Sequence, residues 1–149
     1  MQNSRQENKT LAPIVLFVYN RPEHTRKVVE ALLICPEAKD SDLIVFSDAP
    51  RGLKDIGNVR QVRDFLDKIS GFKSVKIIKR KANLGCTPNM IEGITRIMDE
   101  YGRGIIVEDD IFVAPQFLKF MNLCLNKYKD DYNIWNISGI SPEFGLQTD

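Results

Sequence analysis

Apolar and polar residues alternate along the chain with two different periods, and the pattern predicts strands and helices in turn. Short apolar runs have the length and the β-branched content of buried strands. Between them, apolar residues recur every three or four positions, which is the spacing of an amphipathic helix. The predicted strands cover residues 14–19, 43–46, 75–78, 104–107 and 134–137. The predicted helices cover residues 22–33, 55–70, 88–101 and 115–128.

Local signals mark the ends of several of these helices. Pro22 falls in the first turn of the first helix, and Thr87 followed by Pro88 predicts the N-cap of the third. Gly71 and Gly102 follow the second and third helices, as terminating glycines do. Because strands and helices alternate, the sequence predicts an α/β fold with a mainly parallel, doubly wound sheet and helices on both faces. Polar loops at the carboxyl ends of the strands would then share one edge of the sheet, where α/β proteins bind ligands.

Three consecutive carboxylates follow the strand predicted at 104–107. They are Glu108, Asp109 and Asp110, and Ile111 comes directly after them. Adjacent carboxylates repel one another, so a hard cation with oxygen ligands, Mg²⁺ or Mn²⁺, would balance their charge. A solvated acidic turn after a strand explains the same residues equally well.

Length and charge narrow the class of protein. The chain has 149 residues, the size of one domain, and we expect that domain over residues 12–149. Residues 1–11 are almost all polar, and we expect a loose arm there. Lys and Arg number 21 against 20 for Asp and Glu, so charge gives no case for nucleic acid or an anionic membrane. No apolar run approaches the roughly 20 residues of a membrane span. The N-terminus lacks an apolar signal core, and we expect a cytoplasmic protein.

Several common sites have no support in the sequence. No P-loop or dinucleotide-binding glycine motif is present, and the three cysteines lack metal-type spacing. His24, the only histidine, is interpreted as an exposed residue in the first turn of a helix. Cys86 is interpreted as a small packing residue. The basic residues around the strand at 75–78 could attract phosphate, but they more often keep an edge strand soluble.

What remains is a set of polar residues from several loops at the predicted edge. Arg21, Asp48 and the acidic triplet have side chains that suit a nucleoside diphosphate. A carboxylate such as Asp48 can accept N–H groups of a base, and phosphate oxygens suit Arg21 and a metal held by the triplet. A metal also stabilises the charge that develops on a diphosphate leaving group.

The order of these motifs resembles a known family. The motifs are Pro13-Ile14-Val15-Leu16 leading to Asn20-Arg21, then Val45-Phe46-Ser47-Asp48, Asn83-Leu84-Gly85, and the run from Val107 to Phe117. Residues 13–149 resemble the nucleotide-binding half of a GT-A glycosyltransferase, most closely the N-acetylglucosaminyltransferase I type. The resemblance implies a metal-dependent, inverting transfer of sugar from a nucleotide-sugar, expected to be a UDP-sugar, to an acceptor hydroxyl.

The resemblance also assigns roles by position. Asp110 would ligate Mn²⁺ or Mg²⁺ bridging the donor diphosphate, and Glu108 and Asp109 would lie against the ribose or the donor sugar. Arg21 would approach the diphosphate, and Asp48 would contact the base, expected to be uracil.

Two departures from the family pattern stand out. The general base and the acceptor site are expected beyond Asp149, so no catalytic residue is identified in this chain. A missing C-terminal half, a partner that supplies it, or donor binding without efficient transfer would each explain this. Asn20 also stands where the closest relatives tend to have Asp.

Two rival functions fit the sequence less well. A receiver-type regulatory module is also doubly wound, but its acidic pair would follow the first strand, where this chain has Asn20 and Arg21. A nucleotidyltransferase shares the fold style and the metal, but it would have a glycine-rich basic loop after the first strand, and none is present.

Overall fold

The computed structural model describes residues 11–139, which form a four-stranded parallel sheet with helices on both faces. The strand order is β3-β2-β1-β4. The strands are β1 Ile14–Val18, β2 Asp42–Ser47, β3 Ser74–Lys79 and β4 Ile105–Glu108. The helices are α1 Pro22–Ile34, α2 Ile56–Leu66, α3 Cys86–Tyr101 and α4 Phe117–Lys127, with short 3₁₀ helices at Pro36–Asp40 and Leu53–Asp55. The predicted α/β fold with a parallel sheet is confirmed.

The core is divided by the sheet into two layers. On one face, alternate strand residues such as Leu16 and Val45 pack with α1, α2 and α4. On the other face, Val15, Phe17, Ile44 and Phe46 pack against Ile97 of α3. All five residues of β1 are buried, which explains why this strand reads as a continuous apolar run and not as an alternating one.

The strand predicted at 134–137 is wrong. Residues 134–139 contain no strand, and Trp135 is 93% exposed. Local hydrogen bonds take the place of strand pairing there: the Trp135 indole Nε1 donates to the Tyr132 carbonyl at 2.8 Å, and the Asn133 amide donates to Asp131. Ile137 alone of this apolar run packs against the core.

Several predicted helix ends also differ from the structure. Helix α3 begins at Cys86 with Gly85 as its N-cap, so the predicted Thr87 cap is wrong. Gly85 has a φ of 79°, a conformation that glycine adopts without strain, and its carbonyl accepts from the Asn89 N–H. Helix α2 ends at Leu66, four residues earlier than predicted, and α4 begins at Phe117. Within residues 11–139, no helix is both long and apolar enough to cross a bilayer.

Candidate functional site

A cleft of about 350 Å³ lies at the carboxyl edge of the sheet. It opens between the loops that follow the four strands and the start of α3. All five predicted site residues line it: Arg21, Asp48, Glu108, Asp109 and Asp110. Parallel pairing brings them together, because β1 lies between β2 and β4 and each strand delivers its following loop to the same edge.

At the acidic end of the cleft, formed by Glu108, Asp109 and Asp110, an arginine from the β1 loop balances part of the negative charge. Arg21 Nη1 lies 2.9 Å from Asp110 Oδ2 and 3.5 Å from Asp109 Oδ1. The side chains of Arg21 and Asp110 are each about half exposed, 51% and 49%. Asp109 is buried, and its second oxygen accepts the Tyr19 backbone N–H at 3.2 Å. Burial raises the pKa of Asp109, and the Tyr19 N–H and the Arg21 charge oppose that shift.

The donor set at this end fits one mode of divalent metal binding. Within residues 11–139, no group of three or more His, Cys, Asp or Glu side chains is arranged to hold a metal ion by itself. Mg²⁺ is usually held by one or two carboxylates, with water and substrate phosphates as the other ligands. Asp110 and Glu108 are the exposed carboxylates of the triplet and both line the cleft, so they could supply that partial set.

Asp48 is 4% exposed and organises the loop that follows β3. Its Oδ1 accepts from the backbone N–H groups of Ala49 and Leu84, both at 2.9 Å. Its Oδ2 accepts from the Gly85 N–H at 3.0 Å and from the Asn83 amide at 3.1 Å. A carboxylate has about four acceptor positions, so protein donors fill those of Asp48. The contact between Asp48 and a base stays a prediction; what the structure supplies is a carboxylate that holds the Asn83-Leu84-Gly85 segment in the cleft wall.

A second network, which the sequence analysis missed, joins the β1 and β2 loops. The Tyr19 hydroxyl donates to Asp55 Oδ2 and the Asn20 amide donates to Asp55 Oδ1, each at 2.8 Å. The Arg51 backbone N–H donates to the Tyr19 hydroxyl at 3.0 Å. The hydrogen bonds from Tyr19 and Asn20 lower the pKa of Asp55. Asn20 therefore anchors its loop through Asp55, a partner 35 residues away that no local sequence pattern indicates.

Arg80 is one of the basic residues around β3, which the sequence predicts to be exposed at a soluble edge. Its side chain is instead only 14% exposed. Its guanidinium lies 5.2 Å from the centre of the Phe46 ring, and its Nε donates to Asn89 Oδ1 at 2.9 Å. Glu92 is its ion-pair partner. Burial lowers the pKa of Arg80, and the negative charge of Asp48 opposes this.

The lysines of that cluster behave as predicted for a soluble edge. Lys73, Lys76 and Lys79 are exposed and pair with acids on the surface.

Another arginine, Arg63 of α2, fixes the backbone where β2 and β3 end. Its Nη2 donates to the carbonyls of Ser47, Asp48 and Arg80. Its position among polar residues of a predicted helix gave no sign of this role, because the three carbonyls come from two other elements.

The histidine and the three cysteines take different positions relative to the cleft. His24 is exposed on α1. All three cysteines are free; Cys35 is buried, whereas Cys86 is exposed and lines the cleft with its sulfur 3.8 Å from that of Met90.

Comparison with known proteins gives a structural likeness only. No family model matches the sequence, and no curated protein matches it. Among solved structures, the chain is similar to S. aureus TarS, a glycosyltransferase, with a TM-score of 0.54 and 13% sequence identity. The superposition covers 80% of this chain and 20% of TarS, so the chain spans about a fifth of that protein. The residues described here thus have an α/β, glycosyltransferase-like fold.

Proposed function

We propose that this chain is the donor-binding domain of a metal-dependent glycosyltransferase, and that its cleft binds a UDP-linked nucleotide-sugar. The observation that supports this best is that the predicted residues meet in one place. Residues from the loops after β1, β2 and β4, chosen from the sequence for a nucleoside diphosphate, line one cleft of a glycosyltransferase-like fold.

In this proposal each side chain of the acidic end has a distinct task. Asp110 would hold the divalent ion, which when bound stabilises negative charge on the departing diphosphate. Glu108 would lie against the ribose or the donor sugar. Arg21 would turn from the carboxylates to the diphosphate oxygens, for which a guanidinium is well suited. Asp109 is fixed by the Tyr19 N–H and would lie against the ribose or the donor sugar. The acceptor hydroxyl and the base that deprotonates it would belong to a part of the enzyme outside residues 11–139.

The test is a thermal-shift and calorimetric panel of UDP, CDP and GDP with and without Mn²⁺. We expect UDP with Mn²⁺ to raise the Tm. At a free ligand concentration of 100 times Kd the gain is about 2.7 kcal/mol, or roughly 5–10 °C for a protein of this size. Asp110→Ala should abolish the metal-dependent part of the shift. Asp64→Ala, an exposed carboxylate on α2 outside the cleft, should leave it unchanged.

Two results bear directly on the proposal. Indifference to every nucleotide, with or without metal, would overturn it. Clear binding of a UDP-sugar with little transfer to added acceptors is the expected outcome for this chain alone, because no base is identified in it.

A further inference from the structure

The side-chain amide of Asn89 lies at the cleft, and a buried arginine holds it in one orientation. Asn89 is 4% exposed, lies in the first turn of α3, and lines the cleft. Its Oδ1 accepts from Arg80 Nε at 2.9 Å. Within residues 11–139 its Nδ2 has no hydrogen-bond partner, and this atom is not among those sealed from solvent. The nitrogen of this buried amide is therefore unpaired within the described chain, and the residue that carries it lines the space in which a ligand would bind.

The orientation of this amide follows from the chemistry of its partner. A guanidinium has only donors, so the atom of Asn89 that faces Arg80 must be the carbonyl oxygen. The ion pair with Glu92 and the contact with the Phe46 ring hold Arg80 in place. The group that Asn89 presents to the cleft is therefore an N–H donor, and a rotation of the amide would place two donors face to face.

The position of this donor in the cleft indicates which part of a nucleotide it meets. Arg80 follows β3 and lies over Phe46 of β2, whereas the acidic end belongs to β4. Strands β2 and β4 are separated by β1, which corresponds to about 10 Å across the sheet. A nucleoside diphosphate with its phosphates at the β4 end would extend its base toward β2 and α3.

We infer that the Arg80–Asn89 pair reads the base, and that its fixed N–H donor selects a carbonyl oxygen on the base edge. This rests on the proposed function, since it assumes that the phosphates lie at the acidic end. Uracil presents a carbonyl at position 4 where cytosine presents an amino group. An N–H donor facing position 4 forms a hydrogen bond with uracil but meets a second donor in cytosine. The Arg80–Asn89 pair therefore makes the cleft specific for UDP over CDP.

The test is the ratio of the Kd values for CDP and UDP, measured by calorimetry with Mn²⁺ present. For the unmodified protein we expect a ratio of about ten or more, the discrimination that a buried unpaired polar group gives. Asn89→Asp keeps an oxygen toward Arg80 and presents an acceptor to the cleft, so it should invert the preference or reduce the ratio at least tenfold. Its added negative charge weakens both nucleotides alike, and the ratio removes that effect.

Two further variants separate base recognition from folding. Asn89→Ala removes the donor without adding charge, and we expect its ratio to approach one. Asn58→Asp makes the same chemical change at an exposed position of α2 and should leave the ratio as it was. Thermal unfolding of each variant shows whether it is folded.

The failure of this inference is distinct from the failure of the proposed function. If neither nucleotide binds the unmodified protein, the proposed function fails and this inference with it. If UDP binds but the ratio is near one, or is the same in Asn89→Asp and Asn89→Ala as in the unmodified protein, the inference alone is overturned.

Discussion

Two buried aspartates of the cleft are balanced in different ways. Asp48 accepts four hydrogen bonds from uncharged donors, three of them backbone N–H groups. Asp109 accepts one backbone N–H and depends on Arg21 for the rest of its compensation. Because its hydrogen-bond partners are groups of its own loop and of the loop after β3, Asp48 acts as a fixed positioning residue. Asp109 and its neighbour Asp110 share a half-exposed partner, so the acidic end is the part of the cleft that can exchange partners when a ligand arrives.

The Tyr19–Asp55 pair gives a pH dependence that can be tested. The hydrogen bond from Tyr19 is the largest cause of the lowered pKa of Asp55, followed by that from Asn20. A carboxylate whose pKa is lowered by folding stabilises the protein above its unfolded-state pKa, and this contribution is lost as the pH falls through the folded-state pKa. We expect Tyr19→Phe to move the Asp55 pKa back toward its ordinary value and to make stability fall less steeply with acid in that range.

The measurement is an NMR titration of the Asp55 carboxyl carbon, with urea unfolding at several pH values between 2 and 6. Tyr132→Phe is a matched control, because Tyr132 is 92% exposed and far from Asp55 in sequence. If the Asp55 pKa is the same with and without the Tyr19 hydroxyl, the hydrogen bond is not what lowers it.

At the scale of elements, α3 covers its face of the sheet by approaching very closely at Gly93. A Cβ at this position would lie 2.7 Å from two atoms of the Phe17 ring and 3.2 Å from the Phe46 ring. These two rings are stacked, with centroids 5.1 Å apart, and Phe46 in turn supports Arg80. We expect Gly93→Ala to destabilise the protein by about 1–3 kcal/mol, the usual cost of overpacking, as measured by urea unfolding.

Gly57 of α2 supplies the control for this prediction. A Cβ there would meet nothing within 4 Å, and its φ is not positive. Gly57→Ala should therefore stabilise the protein by about 0.5–1 kcal/mol through helix propensity. If both substitutions were stabilising, the close approach of α3 to the sheet would be wrong.

The comparison of sequence with structure shows which features local patterns can predict. Burial periodicity predicted β1 to β4 and α1 to α4, because each presents an apolar face or run to one core. It failed at 134–137, where an apolar run alone cannot make a strand without a pairing partner. In the cleft, the five residues that follow strands were predicted, because strand direction fixes where their loops meet. The contacts of Arg80, Asn89 and Asp55 were missed, because their partners come from other elements and leave no periodic signal.

At the scale of the whole molecule, the sheet fixes the relation between the two ends of the cleft. The loops after β1 and β4 form the acidic end, and the loop after β2 forms the other with α3. Pairing beyond the strand ends continues this order, since the Asp48 N–H donates to Val18 and the Arg80 N–H to Ser47. A ligand that spans both ends would therefore be bound by loops whose backbones are hydrogen-bonded to one another. Arg21, which is half exposed, would lie between the carboxylates of the acidic end and the phosphates of the ligand.

That position of Arg21 leads to a prediction about how metal and nucleotide bind together. Without ligand, Arg21 compensates Asp109 and Asp110, so it competes with a divalent ion for the same carboxylates. An ion pair this exposed contributes only about 0–1 kcal/mol, so diphosphate oxygens can draw the guanidinium away. Metal and UDP should then each raise the affinity of the other, and by the same factor, because coupling between binding sites is reciprocal.

The substitution Arg21→Gln tests whether Arg21 competes with the metal and whether it binds the diphosphate. Without the guanidinium we expect Mn²⁺ alone to bind several-fold more tightly, UDP alone to bind more weakly, and the coupling factor to fall to the part that direct contact between the metal and the diphosphate supplies. Calorimetry of Mn²⁺ with and without UDP, together with a titration of UDP without metal, measures all three. Arg60→Gln, which changes an exposed arginine of α2 outside the cleft, is the control. Unchanged Mn²⁺ affinity in Arg21→Gln would mean that the arginine and the metal do not share the acidic end, since removing a competitor must strengthen what it competes with.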